Sequence, residues 1–112
     1  MITIKSDREI NLMREAGRIT AYAHMKVAEA IRPGVSTAEL DKVAYDAIVS
    51  QGATPSFLNY NGFPATICAS INEVVVHGIP NKKTILKNGD IISIDIGAIY
   101  HGYHGDAART HL

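Results

Sequence analysis

The spacing of apolar residues divides the chain into a helical first half and an extended second half. Ile10, Met13, Gly17, Ala21, His24, Ala28 and Ile31 recur at intervals of three or four, the period of one helix face. Ser6-Asp7-Arg8-Glu9 ahead of them fits a capping box, with Ser6 as N-cap and Glu9 reaching back to it. Arg32-Pro33-Gly34 ends the run. A second box, Ser36-Thr37-Ala38-Glu39, precedes a cleaner stripe of Leu40, Val43, Ala44, Ala47 and Ile48, and Gly52 is placed to stop that helix. The pattern predicts two amphipathic helices, antiparallel to each other, covering a sheet.

Past Gly52 the period shortens. Residues 55–64 (P-S-F-L-N-Y-N-G-F-P) mix aromatics with turn formers and suit no long element. Short strands are expected at 65–69 and 73–76, and a polar loop at 81–90 closing on Asn88-Gly89-Asp90. Ile91 to Tyr100 is the clearest strand, and Tyr103 to Leu112 returns antiparallel to it. With helices first and strands afterwards, the order points to an α+β fold in which an antiparallel sheet is covered on one side.

The last hairpin places two carboxylates with care. If His101-Gly102 is a two-residue turn, Tyr100 faces Tyr103 and Gly97 lies opposite Asp106. Side chains alternate faces, so Asp95 shares the face of Gly97 and is a diagonal neighbour of Asp106, roughly 7–8 Å away. Gly97 would leave room across from Asp106, as a cation site requires. A three-residue loop, or a bulge at Gly105, would send the two aspartates to opposite faces. On the residues alone three readings stand: turn residues accepting hydrogen bonds, salt-bridge partners, or ligands of a hard or borderline cation such as Mn²⁺, Fe²⁺ or Co²⁺.

Composition narrows the partners. Eleven basic residues balance eleven acidic ones over 112 residues, so no non-specific attraction to nucleic acid or anionic lipid is expected. No run approaches the about 18 consecutive apolar residues of a membrane span. Cys68 is the single cysteine, which excludes an intrachain disulfide and fits a reducing, cytoplasmic setting. The opening M-I-T-I-K-S-D-R-E-I has no basic segment leading into an apolar one, so no secretory leader is expected.

Other side chains bear on chemistry. His77, in V-V-V-H-G-I-P, sits at the end of an apolar run, where a histidine serves either structure or proton transfer near neutral pH. Phe57, Tyr60 and Phe63, with Cys68 nearby, form either core or the wall of an apolar pocket. His101 and His104 flank the turn, with His104 on the aspartate face, and His24 on the first helix calls for nothing beyond packing.

Several runs taken together are more specific than any one of them. C-A-S-I-N-E-V-V-V-H-G-I-P (68–80), G-D-I-I-S-I-D-I-G (89–97), G-Y-H-G-D-A-A-R-T (102–110), F-L-N-Y-N-G-F-P and the early S-D-R-E-I-N-L-M-R-E-A-G-R resemble type I methionine aminopeptidase in order and spacing, over essentially the whole chain. The resemblance implies half of a pita-bread fold, whose two halves are related by pseudo-two-fold symmetry around a dinuclear metal site. Residues 1–112 would then be a single N-terminal half-domain. It implies hydrolytic removal of the initiator methionine, with the metals supplying a low-pKa nucleophile and a Lewis acid. Asp95 matches the ligand that holds one metal through both oxygens, and Asp106 the carboxylate that bridges both. His77 matches the histidine that hydrogen-bonds the scissile amide. Tyr60 and Cys68, with Phe57 and Phe63, match the methionine side-chain pocket; Asn72 and Val74 match a backbone site for Na⁺ or K⁺.

Members of that family are about twice as long, and their second half supplies one histidine and two glutamate ligands. The chain by itself is therefore expected to be no competent aminopeptidase. Three arrangements follow: it acts with the missing C-terminal half, it pairs with a second copy of itself, or it is a metal-free module that binds peptides or a partner.

Overall fold

Both ends of the second helix are set by chemistry within a few residues of them. The computed structural model of the chain describes residues 7–58, 65–72, 79–80 and 82–111. Helix α1 spans Asp7–Ala30 and helix α2 spans Thr37–Ser50. Ser36 caps α2, its hydroxyl accepting the Glu39 N–H at 3.1 Å. At the other end Gly52 takes φ +77°. Its N–H donates to the Val49 carbonyl, and that of Ala53 donates to Ile48 at 3.2 Å, which is a Schellman closure. The expected cap of α1, Ser6, lies outside the described residues.

Four strands follow: β1 (Thr54–Pro55), β2 (Ile67–Ile71), β3 (Ile92–Tyr100) and β4 (Tyr103–His111). All pairings are antiparallel and β3 is central, with β4 along one side and β2 and β1 in succession along the other. The architecture is the expected α+β one, two helices over an antiparallel sheet. Strand β2 begins two residues later than the sequence pattern suggested. One oxygen of Asp41, on α2, accepts the N–H groups of Thr66 (2.8 Å) and Ile67 (3.0 Å), so this amide pair is turned to the helix as the ladder begins. The strand expected at 73–76 falls outside the described residues.

Asp41 gives a test of this joint. Burial pushes its carboxyl up from the ordinary aspartate range, against the pull of the two amide hydrogen bonds. A raised folded-state pKa means that stability is greatest below the unfolded aspartate's pKa and is lost as pH rises through the folded one. Asp41→Asn keeps an acceptor without the charge. It should equal or exceed the wild type in urea unfolding at neutral pH, with the difference vanishing on acidification. Asp41→Ala leaves two buried N–H groups unpaired and should lose about 1–3 kcal/mol. Equal stability of the alanine variant would remove the role given to Asp41.

The core lies between the helices and one sheet face. Ile92, Ile94, Ile96 and Ala98 of β3 and Ile67 and Ala69 of β2 meet Leu40, Ala44, Ala47 and Ile48 of α2, and Ile19, Ala23 and Val27 of α1. The α2 stripe is the one the sequence predicts, with Val43 packed at its margin. The α1 stripe is not. Of the predicted positions His24 is buried, whereas Ile10 and Met13 are more than a third exposed and Gly17, Ala21 and Ala28 face outward. The inward face is Ala16, Ile19, Thr20, Ala23, His24 and Val27. Ala16 lies inward where α1 comes closest to β4. A Cβ on Gly105 of β4 would sit 2.7 Å from the Ala16 carbonyl carbon and oxygen. Among the described residues no helix is long and apolar enough to cross a membrane.

Candidate functional site

The β3–β4 hairpin is built on an even turn. His101 (φ +48°) and Gly102 (φ +84°) both occupy the left-handed region, as a two-residue turn of the primed type requires. Tyr100 therefore pairs with Tyr103, and pairing continues without a bulge to Ile92 opposite His111. Within this register Gly97 faces Asp106 and Asp95 faces Ala108. The two aspartates are diagonal neighbours on one face, as the sequence pattern requires.

That face is the one turned away from the helices. On it β2 contributes Cys68, directly opposite Asp95, and β4 contributes His104 next to Asp106. Asp95 is half-buried and Asp106 exposed. Burial and the negative charge of Asp95 both push the Cys68 thiol up, so it stays protonated and presents a small, weakly polar surface rather than a thiolate.

The room left by Gly97 is not empty. A Cβ there would lie 3.0 Å from both Cβ and Oγ of Ser56 and 3.5 Å from the Cβ of Asp106. Ser56 is brought in by a backbone bond from its N–H to the Gly97 carbonyl, 3.0 Å, which extends the β1–β3 pairing by one residue. Gly97 thus admits the Ser56 side chain rather than keeping a hole. The Ser56 hydroxyl is buried and has no hydrogen-bond partner among the described residues. Beside it opens a cleft of about 370 Å³ lined by Ser56, Phe57, His104 and Asp106.

The structure therefore gathers Asp95, Asp106, Phe57 and Cys68 on or beside one sheet face. Tyr60, Phe63, Val74 and His77 lie outside the described residues. Asn72 sits at the end of β2 with φ +55°, and its side chain is committed locally. Its amide donates to Asp90 and its oxygen accepts the Ile91 N–H, tying β2 to the turn that leads into β3. Ser56 was not singled out from sequence. Its only signal was position, one residue beyond a short strand whose pairing could not be foreseen.

An oxygen-only donor set of two carboxylates, with an orphaned hydroxyl beside one of them, suits a hard or borderline divalent cation. Among the described residues no three His, Cys, Asp or Glu side chains come together in a group that could hold a metal ion.

Residues 11–112 match the sequence profile of metallopeptidase family M24. The chain is 57% identical over 111 residues to methionine aminopeptidase 1 of Bacillus subtilis, covering 99% of this chain and 44% of that protein. Among solved structures, methionine aminopeptidase from Thermotoga maritima superposes with a TM-score of 0.93 at 40% identity, covering 99% of this chain and 45% of the other. The enzyme from Rickettsia prowazekii gives 0.91 at 43% identity, covering 99% and 44%. The chain spans less than half the length of each of these relatives.

Proposed function

Since the chain belongs to metallopeptidase family M24, we propose that it supplies the two-aspartate half of a metal-dependent aminopeptidase that removes methionine from the N-termini of polypeptides. Its fold is one half of the pita-bread architecture, two helices over a four-stranded antiparallel sheet. The observation that carries the reading is the register of the hairpin, which sets Asp95 and Asp106 on one face beside an open cleft.

In this reading Asp95 and Asp106 hold divalent cations, Mn²⁺, Fe²⁺ or Co²⁺ by ligand chemistry. Such a cation supplies Lewis acidity and lowers the pKa of a water that it binds. Phe57 and Cys68, with Tyr60 and Phe63, form the apolar pocket that takes the methionine side chain. His77 donates a hydrogen bond to the scissile amide and stabilises charge developing there. The backbone at Asn72 and Val74 holds a monovalent cation, Na⁺ or K⁺. The remaining divalent-metal ligands come from outside the described residues, whether from a C-terminal half or from a second copy of the chain.

The test is hydrolysis of methionyl peptides by the protein supplied with Mn²⁺ or Co²⁺, with oligomeric state measured in parallel. Expected is release of methionine only where the chain is joined to a C-terminal half or pairs with a second copy, dependent on added metal and lost in Asp95→Asn. Peptide binding without hydrolysis, unaffected by chelator, would instead identify a binding module.

A further inference from the structure

We infer that Thr20 and His24 of α1 form a clasp on strand β4 that positions the carboxylate of Asp106. The inference rests on the metal-site reading of Asp106 and concerns two residues to which that reading gives no part.

Helix α1 packs on the core face of the sheet, where β4 touches its backbone at Gly105. It reaches β4 there through two side chains. The Thr20 hydroxyl lies 2.9 Å from the Gly105 carbonyl oxygen, and also 2.9 Å from that of Ala16 in its own helix. The His24 Nε2 lies 2.7 Å from the Ala107 carbonyl oxygen. These two acceptors belong to the residues on either side of Asp106. Positions four apart on a helix advance about 6 Å, and positions two apart on a strand advance about 6.8 Å. One turn of α1 thus matches the distance from Gly105 to Ala107, and both anchor points can be gripped at once.

The choice of side chains fits gripping better than filling. Thr20 is 1% exposed and His24 is fully buried, in a stripe otherwise made of Ala, Ile and Val. A buried polar group is costly unless bonded. Among the described residues His24 hydrogen-bonds Ala107, while its Nδ1 is buried without a partner. A carbonyl can only accept, so Nε2 carries the proton of this bond. Burial, the largest influence on this imidazole, favours the neutral form. Gly105 completes the grip by letting the strand touch the helix backbone at Ala16 and Gly17. With residues 105 and 107 pinned on the helix side, Asp106 between them is directed to the opposite face at a fixed height. Outer-shell groups that hold a ligand in one orientation raise its hold on a metal.

The experiment compares His24→Leu and His24→Gln, and Thr20→Val and Thr20→Ser, in the intact protein. Affinity for Co²⁺ is measured by titration calorimetry, ligand geometry by the visible absorption of bound Co²⁺, and stability of the metal-free protein by urea. Expected is a fall of about 10–100-fold in Co²⁺ affinity, with an altered spectrum, for His24→Leu and Thr20→Val. The donor-retaining Gln and Ser variants should recover most of it. Should His24→Leu fail to fold, the near-isosteric Thr20→Val carries the test. Wild-type affinity and spectrum in Thr20→Val, or losses that the Gln and Ser variants do not recover, overturn the clasp. If wild-type uptake of Co²⁺ is absent or indifferent to Asp106→Asn, the metal-site reading itself fails and the clasp falls with it.

Discussion

Asp106→Asn should lower the affinity of the protein for Mn²⁺ or Co²⁺ by at least about 100-fold, since losing a mere outer-shell partner already costs 10–100-fold. Asparagine keeps the shape of the side chain and loses its charge, so a charged group with two acceptor oxygens becomes a neutral one with a single acceptor oxygen. The fold has little stake in the change. Asp106 is exposed on the face turned away from the helices, and the core lies on the other side of the strands. The metal-free variant should therefore unfold at the wild-type temperature. Calorimetric titration and a thermal scan of the metal-free protein separate these effects. An asparagine variant that binds metal like the wild type would remove Asp106 from the site. One that unfolds before it can be titrated would show that the residue serves the fold.

Gly105→Ala should be the most damaging small substitution in the hairpin. The added carbon would lie 2.7 Å from the Ala16 carbonyl carbon and oxygen and 2.8 Å from the Gly17 nitrogen. These are backbone atoms of a helix and cannot rotate aside, so α1 must lift away from β4. Lifting it also strains the contacts of Thr20 and His24 with the strand. Overpacking of this kind costs about 1–3 kcal/mol. Gly17 provides the control from the same contact. A Cβ there meets nothing within 4 Å, and the position is helical, so Gly17→Ala should stabilise the protein by about 0.5–1 kcal/mol. Urea unfolding of the two variants should give shifts of opposite sign. Shifts of the same sign would mean that helix and strand do not meet as closely as described.

Some of this structure is written locally. The even turn at His101-Gly102 and the period-two alternation of the strands fix the register that puts Asp95 and Asp106 on one face. Ser36 and Gly52 bound α2 through hydrogen bonds to residues at most five positions away, and the α2 stripe is apolar enough to choose its own inner face. Such signals act within a turn or two of chain, and a sequence displays them directly. The family resemblance was legible for the same reason, because its motifs are short runs around these turns and strands.

Other features were decided by packing. Ile10 and Met13 suggested one face of α1, yet Ala16, Ile19, Thr20, Ala23, His24 and Val27 are inside, turned there by the contact that Gly105 makes with the helix backbone at Ala16 and Gly17. Asp41, more than twenty residues away in sequence, takes the amides at which β2 begins. Ser56 occupies the space beside Gly97 that the hairpin alone would leave open. Each of these depends on the shape of a surface brought up from elsewhere in the chain. The sequence by itself determined the register and the face on which two carboxylates meet; the tertiary structure decided what lies behind and beside them, because close contact between distant segments is set by the volumes of both partners and leaves no periodic trace in either.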